Sequence, residues 1–303
     1  MNQGTFLEAT IRSVLLQGYP DLEYMILDGG SQDGSVEIIR RYEKWLTYWT
    51  SQPDKGQADA VNNGWQRATG DILAYINSDD TYCPGALHIV AEAFDRNPQL
   101  GLVYGRCHVI DERGGVLRER RVRDATLPEV LRWSPSIPQP TMFMRRTAVE
   151  SVGLLRPELH YTMDYELSLR IGLRYQWQFI PRLLANMRDH PAAKTAVDPL
   201  RHIEEGIGVA EQFFTPALPA DLGELKNKTL ATLLVRKARV LSRLGRGAEA
   251  RDVISRALTL CSAAPVSRQA TAAWAMSWIG PNGIAGLRRV KRAWLQTVTG
   301  RRS

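Results

Sequence analysis

Two adjacent aspartates at the end of a short apolar segment constrain the fold of this chain more than any other feature. The segment at residues 70–80 opens with a Gly-Asp turn, continues through mostly apolar residues and ends in Asn-Ser-Asp-Asp. Its length and the turn residues around it predict a buried strand. Neighbouring carboxylates repel each other, so the pair Asp79 and Asp80 is costly at a strand end unless a positive charge lies beside it.

Two interpretations of this pair follow from the residues. In the functional one, the carboxyl end of the strand binds Mg²⁺ or Mn²⁺ together with a diphosphate, because hard cations prefer oxygen ligands and open α/β sheets bind ligands at that end. In the structural one, Asp79 or Asp80 caps the helix that the pattern predicts from Gly85 to Phe94. The segment alone leaves both open.

The order of the predicted elements indicates an α/β fold followed by a helical region. Apolar periodicity predicts a helix over residues 4–17, and strands are predicted at 22–27, 47–50, 72–76, 102–110, 141–144 and 177–180. Strand–helix alternation through residue 100 predicts a mainly parallel sheet covered by helices. After Pro216 the pattern is helical throughout, with a helical hairpin at 231–260. We therefore predict one domain at residues 1–200 and a helical C-terminal region with a basic tail at 201–303.

Composition narrows the class of protein. The chain has no run of about 18 apolar residues that would cross a membrane, and its first residues lack the features of a signal peptide. Its three cysteines are scattered, which fits a reduced compartment. We expect a cytoplasmic protein, with peripheral contact at the inner face of the cell membrane as an open alternative. The net charge of +7 favours acidic partners such as nucleotide phosphates.

The C-terminal tail has two interpretations. Residues 284–303 contain basic but no acidic side chains, and Trp274, Trp278 and Trp294 lie within or just before them. Such a segment is typical of a helix on an anionic membrane surface, and equally of an ordinary basic surface helix. A nucleic-acid partner is not expected, because no recognised binding motif accompanies the charge.

Five blocks of residues, in the expected order and spacing, resemble the family 2 glycosyltransferases with a GT-A fold. The blocks are residues 2–17, 28–35, 54–62, 70–80 and 163–166, and the resemblance covers about residues 2–195. It implies a mostly parallel Rossmann-like sheet with helices on both faces. It also implies a nucleotide-diphosphate-sugar donor, typically UDP-linked, with Mn²⁺ or Mg²⁺ and inversion at the anomeric carbon. The implied acceptor is a hydroxyl of a bacterial surface polysaccharide or a lipid-linked glycan.

The resemblance assigns a nucleotide-binding role to five positions. Asp28 matches the acid that hydrogen-bonds the base, and Gly29 follows it. Asp54 and Asp59 flank a loop that lies near the nucleotide in the family. Asn77 stands where the family's Asp-x-Asp motif has its first acid. The protein would therefore neutralise less of the charge on the metal ion, and we expect weaker metal binding. From the residues alone, Asp28 is also interpretable as a loop cap, and the two loop acids as solvated side chains.

The remaining assignments concern the metal, the sugar and the reaction. Asp79 matches the metal ligand, His190 a metal or diphosphate contact, and Asp80 a donor-sugar contact. Asp164 matches the catalytic base, because an inverting displacement needs one carboxylate beside the acceptor hydroxyl, a contribution of about 10²–10⁴ in rate. Helix capping is the alternative role for Asp164, and Glu166 is the competing candidate for the base.

One departure from the family concerns the start of the sequence. Relatives have a hydrophobic strand and a Pro-Ser-Tyr-like turn before the residues that match Asn2-Gln3. We therefore expect a sheet that lacks one inner strand, with lower stability and weaker donor binding. Together with Asn77, this departure supports an alternative function, that of a non-catalytic nucleotide-sugar-binding or scaffold protein acting through its helical C-terminal region.

Overall fold

The computed structural model describes residues 1–133, 137–215, 218, 220–279 and 283. These residues belong to two compact units, Met1–Val197 and a second unit that begins at Asp198. No helix in the described ranges is long and apolar enough to span a lipid bilayer. The basic tail at 284–303 and the expectations attached to it lie outside the described residues.

The first unit alternates helices and strands along most of its length. In chain order its elements are α1 (Gly4–Leu15), β1 (Met25–Asp28), α2 (Ser35–Tyr42), β2 (Tyr48–Ser51), α3 (Gln57–Arg67), β3 (Ile72–Ala74), β4 (Thr81–Tyr82), α4 (Ala86–Arg96), β5 (Leu100–Ile110), β6 (Val116–Glu119), α5 (Leu127–Leu131), β7 (Phe143–Arg145), α6 (Arg146–Val152), α7 (Met163–Gly172), β8 (Gln176–Arg188) and α8 (Lys194–Val197). The predicted α/β class is confirmed, and each predicted strand overlaps an observed one.

The strands form two sheets, of which only the larger is mixed in direction. β1 and β2 pair in parallel as a two-stranded sheet. The other strands form a six-stranded sheet in the order β3-β7-β5-β8-β4, with β6 on β5. In this sheet only the β5–β8 ladder is parallel, and the other four ladders are antiparallel. The prediction of a mainly parallel sheet is therefore wrong for the larger sheet, because periodicity reports burial and not strand direction.

The core of the first unit lies on both faces of β5. This strand is a nearly continuous buried run, as expected of a strand covered on both faces. On one side α4 contributes Val90 and Phe94 to a cluster with Val103 and Phe143. A smaller cluster around Leu7, Ile11 and Ile39 joins α1 and α2 to the two-stranded sheet. This packing fixes the carboxyl ends of β1 and β3, where the candidate site lies.

The second unit is helical in its described part. Its helices are α9 (Pro199–Phe213), α10 (Ala220–Gly223), α11 (Lys226–Arg243), α12 (Gly247–Leu260) and α13 at 264–279. α11 and α12 form the predicted helical hairpin, with Gly245 in the turn at φ +78°. Buried alanines such as Ala238, Ala250 and Ala270 line the contacts between these helices, so the backbones approach closely.

Candidate active site

The aspartate loop, residues 75–80 between β3 and β4, carries the paired aspartates and is held by α1. The buried Thr10 hydroxyl lies 2.9 Å from the carbonyl oxygen of Ser78 and 2.7 Å from that of Asp80. The backbone amide of Asp80 donates to the carbonyl of Asn77, 3.1 Å away, which closes a turn at 77–80. The loop is thus fixed both by its own turn and by a helix that begins near the first residue of the chain.

Asp80 is buried and its carboxylate is bound by backbone. It is only 3% exposed, and its Oδ1 accepts from the backbone N–H of Arg188 at 2.9 Å. The Asn77 side-chain amide lies 3.4 Å from Oδ2. Burial, and then the charge of Asp79, raise the pKa of Asp80 well above the usual range of an aspartate. A cation beside Asp79 and Asp80 would favour the charged form of both carboxylates and so oppose this rise in the pKa of Asp80.

Asp79 contacts the histidine that follows β8. Its Oδ2 lies 3.0 Å from Nε2 of His190, whose side chain is 3% exposed while that of Asp79 is 18% exposed. The His190 ring packs on the ring of Phe6, with the centroids 5.0 Å apart. A carboxylate oxygen and an imidazole nitrogen are both ligands that Mn²⁺ accepts, and this pair is brought together from positions 111 residues apart.

Arg188 connects the aspartate loop to the turn between β5 and β6. Its Nε donates to the carbonyl of Asp79 at 2.8 Å, and its Nη1 donates to the carbonyls of Asp111 and Glu112 at 2.8 and 3.0 Å. Its guanidinium carbon also lies 4.8 Å from the centroid of the Phe6 ring. The side chain is buried, so Arg188 supplies both a cation and three backbone hydrogen bonds beside the two aspartates.

The helix-cap interpretation of the aspartates is wrong. The N-cap of α4 is Gly85, in the left-handed conformation at φ +77°, and no side chain caps that helix. Four residues lie between Asp80 and Gly85, so neither aspartate is at the helix end. The donor set fits a divalent cation held by Asp79 and His190, with substrate oxygens completing the shell. Among the described residues no cluster of three or more metal-binding side chains exists.

A second group of predicted residues lines a cleft beside β1 and β2. This cleft has a volume of about 110 Å³, and Asp28, Asp54 and Asp59 are among its lining residues, with Tyr48 and Arg67. The Arg67 guanidinium carbon lies 5.0 Å from the Tyr48 ring centroid. The cleft therefore combines an aromatic face with both signs of charge, and it is small beside the roughly 300–1,000 Å³ of ordinary ligand pockets.

Asp28 occupies the carboxyl end of β1 and holds its own loop. Its carboxylate accepts from the Ser31 amide (2.8 Å), the Ser31 hydroxyl (2.5 Å) and the Ser51 hydroxyl (2.6 Å). Burial acts to raise its pKa, but these hydrogen bonds outweigh burial and keep the pKa below the usual value. Asp28 is therefore a fixed carboxylate anion, and the loop-cap role proposed for it is present in the structure.

Gly29 and Asp54 are in direct contact. A Cβ built on Gly29 would lie 2.6 Å from Oδ2 of Asp54, so no side chain larger than hydrogen fits there without moving that carboxylate. Asp54 also accepts from the Gly56 amide at 2.8 Å.

A hydrogen bond connects the start of α3 to the aspartate loop. The Gln57 side-chain amide donates to Oδ1 of Asn77 at 2.6 Å. Gln57 thus links the helix that borders the cleft to the aspartate loop.

Asp164 and Glu166 lie in the first turn of α7 but in different surroundings. Burial raises the pKa of Tyr75, and the negative charges of Asp164 and then Asp80 raise it further. Asp164 is therefore close enough to Tyr75, on the loop of the paired aspartates, to affect its ionisation. Glu166, in contrast, is bound by Arg170 Nη2 at 2.8 Å and Nε at 2.9 Å. The N-cap of α7 is Thr162, so Asp164 does not cap the helix.

Apart from Asp164 on α7, the predicted site residues fall into two groups. Asn77, Asp79, Asp80 and His190 meet at the aspartate loop, and Asp28, Gly29, Asp54 and Asp59 meet at the cleft. Sequence reasoning did not identify Thr10, Gln57, Arg67, Tyr75, Arg120 and Arg188 as parts of the site. Burial lowers the pKa of Arg120, while the charges of Asp164 and Asp80 oppose that effect. Thr10, Gln57 and Tyr75 lie inside the matched blocks, which marks their positions but not the atoms that they contact.

Solved structures share the fold of this chain, and one of them is a mannosyltransferase. The chain aligns with Staphylococcus aureus TarS in complex with UDP-GlcNAc at a TM-score of 0.62 and 15% identity, over 95% of this chain and 89% of that one. It aligns with the mannosyltransferase PcManGT of Pyrobaculum calidifontis, in complex with GDP-Man and Mn²⁺, at 0.54 and 17%, over 92% and 84%. The fold is that of the GT-A glycosyltransferases.

Sequence comparison identifies the family. The model of glycosyl transferase family 2 matches residues 1–153. An uncharacterized glycosyltransferase of Mycobacterium tuberculosis is 29% identical over 169 residues, which are 55% of this chain and 64% of the relative. A poly-β-1,6-N-acetyl-D-glucosamine synthase of Staphylococcus epidermidis is 25% identical over 61% of this chain and 47% of the relative. This chain belongs to glycosyl transferase family 2, and it spans about two thirds or less of these relatives.

Proposed function

We propose that this chain transfers a sugar from a nucleotide-diphosphate sugar to an acceptor hydroxyl with inversion at the anomeric carbon. The observation that carries the proposal is the contact between Asp79 and His190 beside the buried Asp80. Tyr75 lies on the same loop as these aspartates, and the charge of Asp164 raises its pKa. Family membership supports transfer as the reaction class. Support for a nucleotide sugar comes from the TarS and PcManGT complexes, whose ligands are UDP-GlcNAc and GDP-Man.

The residues of the chain divide the reaction between them. Asp28, Gly29, Asp54 and Asp59 bind the nucleoside at the cleft, and Asn77 with Asp80 positions the ribose and the donor sugar. Asp79 and His190 would hold Mn²⁺ or Mg²⁺, which when bound supplies charge stabilisation to the diphosphate. Asp28, which is held as an anion at the cleft, can accept a hydrogen bond and so favours a base with an N–H donor, such as uracil.

Asp164 is the proposed general base. As the acceptor oxygen attacks the anomeric carbon, its proton passes to the Asp164 carboxylate. The bond between the anomeric carbon and the diphosphate oxygen breaks, and the nucleoside diphosphate leaves with the electron pair. No second carboxylate is required as an acid, because a diphosphate leaves without protonation. Glu166 is less suited to this role, since its carboxylate is engaged by Arg170.

The acceptor class is inferred from the substrates that the names of the relatives indicate. A poly-β-1,6-N-acetyl-D-glucosamine synthase is among the relatives, so we propose a surface polysaccharide or a lipid-linked glycan. The alternative, a non-catalytic nucleotide-sugar-binding protein, is disfavoured because both Asp79 and Asp164 are present.

A donor screen tests the proposal. The full chain is incubated with UDP-Glc, UDP-GlcNAc and GDP-Man, with and without Mn²⁺, and release of nucleoside diphosphate is measured in the presence of a bacterial envelope lipid extract. We expect metal-dependent turnover of a UDP-linked donor. Tight UDP binding without turnover of any donor would favour the non-catalytic alternative, and absence of nucleotide binding would contradict both.

A further inference from the structure

The hairpin formed by β5 and β6 has two exposed apolar residues on the short strand at its outer edge. All four residues of β6 are exposed, with Val116 at 60% and Leu117 at 56%. Among the described residues β6 pairs with β5 alone. Successive side chains of a strand point to opposite faces, so these two residues present apolar surface on both sides of the hairpin. The short length of β6 and the charges of Arg118 and Glu119 protect its backbone edge, so the feature to explain is the exposed apolar surface of Val116 and Leu117.

Three uncompensated arginines surround this apolar pair. Arg113, Arg118 and Arg121 are exposed, and in the part of the chain that the structure describes none of them forms an ion pair. The neighbouring arginines differ, because Arg106 binds Glu119 and Arg123 binds Glu129, each at 2.6 Å. The exposed acid of the turn is Glu112, while the Asp111 carboxylate is used by the amides of Arg113 and Gly115.

The hairpin is anchored directly beside the candidate site. Arg188 donates to the carbonyls of Asp111 and Glu112 at the base of the turn, and the same side chain donates to the carbonyl of Asp79. One arginine therefore spans the distance from the root of the hairpin to the aspartate loop. A surface that binds the hairpin tip will be close to the site.

We propose that the tip of this hairpin binds the surface of an anionic phospholipid membrane. Val116 and Leu117 enter the boundary between headgroups and acyl chains, and Arg113, Arg118 and Arg121 contact lipid phosphates. A basic residue near an anionic surface raises the partition coefficient by about fivefold, and buried apolar area adds to this. The consequence that a lipid-linked acceptor meets the site there rests on the proposed function, but the membrane contact itself does not.

The charges favour a membrane over other partners. A second copy that paired edge to edge with β6 would bring arginines of like charge opposite or near one another, which destabilises a strand pair. An anionic polymer would satisfy the arginines but would leave Val116 and Leu117 exposed. Only an anionic surface with an apolar interior matches both features.

The test uses the full chain and vesicles of two compositions. Binding to vesicles of phosphatidylglycerol and phosphatidylcholine in equal parts, and to phosphatidylcholine alone, is measured by sedimentation. The triple variant Arg113→Gln/Arg118→Gln/Arg121→Gln should bind the anionic vesicles about 100-fold more weakly. The double variant Val116→Ser/Leu117→Ser should bind at least about tenfold more weakly.

A matched control removes the same charge elsewhere. The variant Arg12→Gln/Arg40→Gln/Arg182→Gln changes three exposed arginines of the first unit outside the hairpin. We expect its binding to stay within about threefold of the parent, because these arginines are not part of the proposed membrane contact and salt screens charges that lie away from the lipid surface. Unchanged binding in both hairpin variants, or an equal loss in the control, would overturn the proposal.

A site-specific probe separates the hairpin from the rest of the chain. With Cys83 and Cys261 replaced by Ser, an environment-sensitive dye is attached through Leu117→Cys or, as a comparison, through Leu16→Cys, which is also exposed. A blue shift on anionic vesicles at position 117 but not at position 16 is the expected result. Two results would overturn the proposal: a dimer that Val116→Ser/Leu117→Ser abolishes, or retention on dextran sulfate without any vesicle binding.

Discussion

Replacing Glu166 by Gln separates the two candidates for the base. The Glu166 and Arg170 side chains are 10% and 23% exposed, and the guanidinium also donates to the carbonyls of Val152, Gly153 and Leu154 at 2.5, 2.6 and 2.8 Å. Glu166 therefore holds the cation that fixes the loop after α6. This contact predicts a mainly structural role for Glu166.

The size of the effect follows from the burial of the pair. Removing one partner of a buried ion pair costs about 3–5 kcal/mol, and Gln retains one acceptor, so we expect a loss of about 2–4 kcal/mol in the free energy of unfolding. For a unit of this size, that is a fall in Tm of about 4–16 °C. Asp164→Asn is the matched control on the same helix turn, and should cost about 1 kcal/mol or less, the usual value of an acid at a helix N-terminus.

Urea unfolding and hydrogen exchange measure this difference. Because the chain has two units, peptides from residues 150–172 are followed by hydrogen exchange while donor turnover is assayed in parallel. Glu166→Gln should accelerate exchange there and leave residual activity in the folded fraction. Asp164→Asn should keep slow exchange and lower transfer by about 10²-fold or more. The reverse pattern would refute the reasoning and move the base to Glu166.

Three further predictions concern the other parts of the site. Gly29→Ala should weaken UDP binding at least about tenfold in calorimetry, because the new Cβ would displace the Asp54 carboxylate 2.6 Å away. Arg188→Gln should cost about 3 kcal/mol or more, since three carbonyls lose a donor, and should speed hydrogen exchange in the β5–β6 hairpin. Asp79→Ala should abolish metal-dependent nucleotide binding without lowering Tm by more than a few degrees, and excess chelator should do the same to the parent.

The controls for these variants come from the same chain. Gly208→Ala introduces a Cβ that meets nothing within 4 Å, so it should leave UDP binding unchanged. Unchanged UDP binding in Gly29→Ala would contradict the contact with Asp54. Unaltered exchange in the hairpin of Arg188→Gln would show that its carbonyl bonds do not hold the hairpin, and full activity in chelator would exclude a role for a divalent cation at Asp79.

The sequence predicted the α/β class and the grouping of acids at strand ends, because both follow from local patterns. It did not predict the length of β8. Pro181 interrupts the apolar run, and proline is expected to end a strand. In the structure the ladder with β5 shifts register at this point, between Ile180 and Leu183, opposite Gly105 and Arg106. The strand therefore continues to Arg188 and places His190 beside Asp79.

The contributions of Arg188 and Thr10 were not predictable for a related reason. Both act through backbone carbonyls of distant residues, with separations of 109 and 70 positions along the chain. A carbonyl oxygen is present at every residue, so sequence carries no sign of which one will need a donor. The side-chain chemistry of the site was readable from motifs, whereas the hydrogen bonds that hold the loop depend on the tertiary fold.

The most direct test of the central claim is the stereochemistry of the product. The full chain is given an α-linked UDP-sugar, Mn²⁺ and an acceptor from the envelope lipid extract, and the anomeric configuration of the new linkage is determined by NMR. We expect a β-linked product from the parent chain and about 10²-fold less of it from Asp164→Asn. An α-linked product, or undiminished transfer by Asp164→Asn, would contradict the inverting mechanism with Asp164 as its base.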